Sequence, residues 1–215
     1  MATVKIVTDS TADLPAALRS AYDITVMPLK VIFKDEIYRE GVDITIPAFF
    51  EKLAGTEQLP TTSQPSPAEF QEVYEELTAD GSTVISMHIS SKMSGTIQSA
   101  MLAKKNLPDR DIRVIDSGKV TMALGLGVLV GARAAQAGRS ADEVEALVQE
   151  MFNHKIKIYF MVDTFENLQK GGRIGKAAAL LGTLLNIKPI LTVEDGLVAP
   201  FEKVRGKTKA VERLV

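Results

Sequence analysis

The chain has no cysteine and no tryptophan, and only two histidines, His88 and His154. Without cysteine there is no disulfide framework and no thiolate metal site, and two imidazoles are too few for a histidine-rich zinc centre, so no metal is expected. Charge of one sign is not in excess either: 25 Lys and Arg against 27 Asp and Glu leave a net charge of −2. That balance gives no basic field for nucleic acid and no polybasic membrane patch. Long apolar runs are also missing. The longest, residues 120–132, is too short to cross a bilayer and ends at Arg133, so no integral membrane segment is expected. No basic start and apolar stretch precede the first β-branched run, so no secretion signal is read and a cytoplasmic location is expected.

What is present is an ordinary globular composition of 215 residues, 46% apolar, enough for one large or two small domains with a buried core. Residues 3–7 form a β-branched run that ends in Thr8-Asp9-Ser10-Thr11. A helix pattern follows through Leu14, Leu18 and Tyr22, with Ser10 and Asp13 spaced as a capping box. Residues 24–33 read as one strand, 37–44 as its return strand, and 47–53 as a short helix capped by Thr45. Strands are also expected at 83–88 and 112–115, and helices at 70–77, 96–105 and 121–136. Gly125, Gly127 and Gly131 lie inside the last of these, where each costs about 1 kcal/mol relative to alanine, so close packing or a ligand must compensate. Ser140 and Glu143 form a capping box for a helix to about residue 152.

Strands alternating with helices point to a parallel, Rossmann-like α/β sheet with right-handed crossovers. Three of its strands end in the same chemistry: Thr8-Asp9-Ser10, Ser90-Ser91 with Ser94, and Asp116-Ser117. In a parallel sheet these ends share one rim, where ligands of open α/β sheets bind. The stretch 89–100 is the richest, with Ser94-Gly95-Thr96 where a strand gives way to a helix. Orphan N–H groups and the helix dipole suit a carboxylate or phosphate there, although serine and threonine are also ordinary caps. Residues 55–67 read as a loop whose prolines bar helix and ladder pairing. Ser66, Pro67 and Glu69 are accounted for as the start of the next helix, whereas Thr61, Thr62, Ser63 and Gln64 have no structural task.

The texture shifts after residue 152, and the domains are placed at 1–154 and 155–215. The second is read as α/β: a strand at 155–162, helices at 163–169 and 176–185, and hairpin strands 187–193 and 197–203 around Asp195-Gly196. A helix over 206–215 ends the chain, and this domain is expected to be incomplete. Its Gly171-Gly172 pair reads as a helix stop. Nucleotide motifs fail. Between Gly171 and Gly175-Lys176 one residue too few intervenes for a P-loop, and Phe201 stands where Arg205-Gly206-Lys207-Thr208 would need its first glycine. Asp9 and Asp116 could form a carboxylate pair, but each precedes a serine and also reads as a cap. His88, at the end of an apolar strand, reads as a hydrogen-bonded structural histidine.

Taken together, several motifs resemble the DegV family. They are Ile6-Val7-Thr8-Asp9-Ser10-Thr11, Thr62-Ser63-Gln64-Pro65-Ser66-Pro67, Ser90-Ser91 with Ser94-Gly95-Thr96 and Gln98-Ser99-Ala100, and Ile115-Asp116-Ser117. Lys170-Gly171-Gly172-Arg173-Ile174 and Leu185-Asn186-Ile187-Lys188-Pro189-Ile190 follow in family order. The resemblance implies two α/β domains with a long-chain fatty acid, such as palmitate, between them and no other cofactor. It implies that Thr62 and Ser94 bind the carboxylate. It further implies a binding subunit without catalysis, which presents the acid to a fatty acid kinase for acyl phosphate and phospholipid synthesis. Family members continue past the point where this chain ends, and that part is thought to place a basic side chain near the carboxylate.

The physics suits such a ligand: about fifteen methylene-like groups at ~0.8 kcal/mol each give about 12 kcal/mol gross, less ordering costs. Met122, Leu124, Leu126, Leu180, Leu181, Leu184 and Ile187 are candidate walls, each also readable as plain core. The rival reading is a small-molecule kinase or phosphotransfer subunit that uses the Asp9/Ser94/Asp116 rim.

Overall fold

The structure is a computed structural model and describes residues 3–56, 58–182 and 187–214. The chain divides into two compact units, Met1–Ile156 and Lys157–Val215. In the first, β1 (Val4–Asp9), β2 (Ile24–Met27), β6 (Thr83–His88) and β7 (Ile112–Asp116) form a parallel sheet in the order β2-β1-β6-β7. The strands alternate between two covered faces. Val7 and Val84 pack with Phe70 and Tyr74 of α3 (Pro67–Thr78) and with Ala100 and Ala103 of α4 (Thr96–Lys105). Met87 faces the opposite way, against Gly131 of α5 (Met122–Gln136). Buried on both sides, β6 consists entirely of buried residues.

The α5 glycines are explained by packing. A Cβ on Gly125 would strike the Ala12 carbonyl, one on Gly127 the Phe152 ring, and one on Gly131 would come within 2.9 Å of Val148. Val148 lies on α6 (Ala141–Glu150), whose Ser140–Glu143 capping box forms as the spacing predicts. A π-type turn over Met151–Lys155 follows and buries Phe152.

The expected single strand at 24–33 is two strands. Pro28 lies between β2 and β3 (Lys30–Phe33), and β3 belongs to a separate antiparallel sheet in the order β4-β3-β5. Here β4 (Glu36–Arg39) stops short of the expected 37–44, and α2 (Ile46–Ala54) follows with Thr45 as its cap. The third strand, β5 (Thr61–Ser63), overturns the reading of 55–67 as wholly loop. Its residues precede Pro65 and keep their N–H groups, so they can pair with Lys30–Ile32. This sheet has its own small core of Val31, Phe33 and Ile44, with Tyr38 and Phe49 packed on it.

A second correction concerns the start of the chain. Ser10 and Asp13 do not cap a helix. Ser10–Ala12 is a 3-10 turn capped by Asp9, Asp13 takes a left-handed φ of 52°, and α1 is short (Ala16–Ala21).

The second unit is built on an antiparallel sheet in the order β10-β9-β8, with β8 at Tyr159–Met161, β9 at Ile187–Glu194 and β10 at Leu197–Arg205. Asp195 and Gly196 both have positive φ (50° and 76°), as a tight hairpin turn demands. Helix α7 (Glu166–Lys170) ends as the two glycines suggest: Gly172 has φ 73°, its N–H donates to Gln169, and the Arg173 N–H reaches back to Leu168. The expected helix at 176–185 is only a 3-10 turn, Gly175–Leu180, and residues 183–186 lie outside the described set. Helix α8 (Lys207–Leu214) follows β10. Among the described residues no helix is long and apolar enough to cross a membrane.

Candidate functional site

Strands β1, β6 and β7 are neighbours and parallel, so their hydroxyl-rich carboxyl ends meet on one rim. Each rim carboxylate is engaged by the fold. Asp9 is fully buried and accepts from the Thr11 N–H and hydroxyl, from the Ile89 N–H at 3.0 Å and from His88 Nδ1 at 3.0 Å. Burial pushes its pKa up, but the hydrogen bonds from His88, Thr11 and Ile89 outweigh burial and hold it below the usual carboxylate range. Asp116 accepts from the N–H groups of Ser91 and Gly118. Ser10, expected as a cap, donates to Glu40 and accepts from the Leu29 N–H. Sequence spacing held no sign of the Glu40 contact, which crosses 30 residues.

The loop between β6 and α4 is pinned at its first three amides. The Ile89 N–H goes to Asp9, that of Ser90 to the Lys119 carbonyl and that of Ser91 to Asp116. The Ser90 carbonyl then receives the N–H groups of Met93 and Ser94. Next comes α4, whose capping residue Gly95 has no side chain with which to cap it. The Ser94 hydroxyl accepts the Thr96 N–H and lies 2.9 Å from the buried Thr96 hydroxyl. If Thr96 donates there, the Ser94 hydrogen is free for an anion.

Thr62 sits on β5, opposite Val31, with an exposed side chain whose hydroxyl has no hydrogen-bond partner among the described residues. Two residues on, Gln64 lies against Gly95: a Cβ there would stand 2.7 Å from Gln64 Nε2 and 3.1 Å from its Cδ. The strand that carries Thr62 and the loop that carries Ser94 therefore abut within one unit. Among the candidate walls, Leu124 and Leu180 are core. Met122 and Leu126, four apart on α5, are exposed, as is Leu181. Leu184 and the Ile187 side chain lie outside the described set. At the start of α5 Thr121 has φ 55° and ψ −151°, a strained conformation for a β-branched residue that nothing in the sequence signalled.

A family profile described as "Uncharacterised protein, DegV family" matches residues 3–215. The chain belongs to the DegV family. A DegV domain-containing protein of Clostridium perfringens is 44% identical over 216 residues, which covers 99% of this chain and 76% of that protein. Protein DegV of Bacillus subtilis is 38% identical over 211 residues, 98% of this chain and 75% of its own length. Among solved structures, a DegV family protein of Thermus thermophilus described by its fatty acid binding superposes with a TM-score of 0.91 at 41% identity, over 99% of this chain and 75% of that one. A stearic-acid-binding protein of Eubacterium ventriosum gives 0.87 at 29% identity, over 98% and 74%. The α/β architecture, a parallel sheet with separate antiparallel sheets, is that of these DegV neighbours.

Proposed function

We propose that this DegV protein binds a long-chain fatty acid, grips its carboxylate with Thr62 and Ser94, and presents it to a fatty acid kinase. The kinase would supply the phosphoryl transfer that makes acyl phosphate for phospholipid synthesis, and this chain would perform no catalysis of its own. One observation carries the reading: the Gln64 side chain against Gly95 sets the strand of Thr62, whose exposed hydroxyl has no partner among the described residues, beside the loop that carries the Ser94 hydroxyl. Two hydroxyl donors and helix amides suit a carboxylate, and each hydrogen bond to a charged group is worth about 1.5–3 kcal/mol. The exposed Met122 and Leu126 support an apolar path for the tail. The fatty acid binding described for the Thermus thermophilus neighbour supports the ligand class. A phosphotransfer reading loses support because Asp9 is fully buried with both oxygens taken by protein donors.

Denaturing extraction of the purified protein, followed by mass spectrometry, is expected to release fatty acid. Recovery of none, together with no uptake of added palmitate or oleate, would sink the reading. For the partner, acyl phosphate formation by a fatty acid kinase with ATP is expected to depend on addition of this protein.

A further inference from the structure

Behind the rim lies a polar chain with no part in the reading above. Tyr74, Ser86, His88 and Asp9 are all fully buried, in the same core layer as Phe70 and Val7. The Tyr74 hydroxyl donates to Ser86 Oγ at 2.7 Å, Ser86 Oγ lies 2.6 Å from His88 Nε2, and His88 Nδ1 lies 3.0 Å from Asp9. The sense of the chain follows from chemistry. Ionised Asp9 only accepts, so Nδ1 carries a proton; Ser86, already receiving the Tyr74 hydrogen, gives its own to Nε2. Phe70 packs edge-on to the imidazole at 5.1 Å and fixes its plane. All the donors thus run one way and end on Asp9.

A buried charge with one partner deleted costs several kcal/mol, and an apolar replacement of the whole set is often no less stable, so bulk stability does not explain why this one is present. Its position does. The Asp9 oxygen that receives His88 also receives the Ile89 N–H, the first fixed point of the loop that ends at Ser94. We infer that Asp9 and His88 are positioning residues: His88, the last link of the buried chain, holds the Asp9 carboxylate in place on the Ile89 amide and so sets where the Ser94 hydroxyl meets an anionic headgroup. This rests on the proposed function.

The test compares palmitate with hexadecanol, which has the same chain length and no charge, by displacement of a fluorescent fatty acid. The parent protein is expected to prefer the acid; if it shows no preference, the carboxylate grip at Thr62 and Ser94 fails and this inference with it. Given that preference, Asp9→Asn and His88→Asn are expected to weaken palmitate at least tenfold and hexadecanol less than twofold. Tyr74→Phe, three links from Asp9, is expected to lower the melting temperature while leaving the acid-to-alcohol ratio within twofold. Folded Asp9→Asn or His88→Asn protein with the parent ratio overturns the inference. So does a Tyr74→Phe ratio that falls as far as theirs, since the effect would then be mere loss of stability. If neither rim variant folds, Thr11→Val removes one hydroxyl donor from Asp9. It is expected to lower the ratio about threefold, and an unchanged ratio there overturns the inference equally.

Discussion

Gln64 and Gly95 fill each other's space: an added Cβ at Gly95 would stand 2.7 Å from the Gln64 side-chain nitrogen. Gly95 has an ordinary φ of −77°, so alanine is tolerated by the backbone and the conflict is purely with Gln64. Because Gln64 meets it with the far end of a flexible side chain, Gly95→Ala is expected to move the melting temperature by less than about 3 °C, since one kcal/mol is worth roughly 2–4 °C at this size. Fatty acid affinity is expected to fall about tenfold, as Gln64 and the end of β5 that bears Thr62 are pushed from Ser94. Thermal melts beside a displacement titration check both.

Thr62→Ala and Ser94→Ala each remove one hydroxyl from the proposed headgroup site. Each is expected to weaken palmitate binding roughly ten- to hundredfold, from the worth of a hydrogen bond to a charged group. The double variant is expected to lose less than the product of the two, because both act on one carboxylate. Parent-like affinity in both single variants would place the grip elsewhere.

Asp13 gives a pH signature. The residue is exposed to solvent, yet crowding of its carboxyl by nearby protein first, then Glu40 and Asp9, raise it above the ordinary 3.8. An acid raised in the folded state takes stability away as it ionises: its favourable contribution is complete below about pH 3.8 and lost as pH rises through the folded value. Asp13→Asn also suits the left-handed φ of 52° at this position. Because Asp13 is solvent-exposed and water screens the effect, the variant is expected to melt no more than about 1 °C above the parent at pH 7 and level with it at pH 3. Melts at the two pH values decide, and an equal gain at both would assign the effect to the backbone alone.

Gly127→Ala would drive a methyl group into the Phe152 ring. Overpacking costs about 1–3 kcal/mol. The melting temperature is expected to drop by roughly 3–10 °C. Phe152→Leu, made together with it, is expected to restore part of the loss.

How much of this was legible in the sequence depended on how far the deciding partner lay along the chain. The Ser66–Glu69 capping box, the Asp195-Gly196 turn and the limits of α4 at Thr96 and Lys105 follow from neighbours a few residues apart, and the structure has all of them. Ser10 carried an equally good local capping pattern, yet Glu40 and Leu29 take its hydroxyl. Thr61–Ser63 looked like loop because its strand partner is Lys30–Ile32, about 30 residues earlier. His88 was legible as a bonded histidine but its partner was not, because Asp9 lies 79 residues away. Hydroxyl-rich strand ends could be read as a rim, because parallel topology alone brings them together.

Thr62 and Ser94 hang on different hydrogen-bonded frameworks. The threonine belongs to the small sheet of β3, β4 and β5 with its own patch of core, and the serine follows from the parallel sheet. Amide exchange need not report one breathing motion for the pair: the few-stranded framework, with less buried apolar surface, should open more often than the other. Jaws mounted on frames of unequal stiffness can let a cargo go by the yielding of one frame while the other keeps its shape.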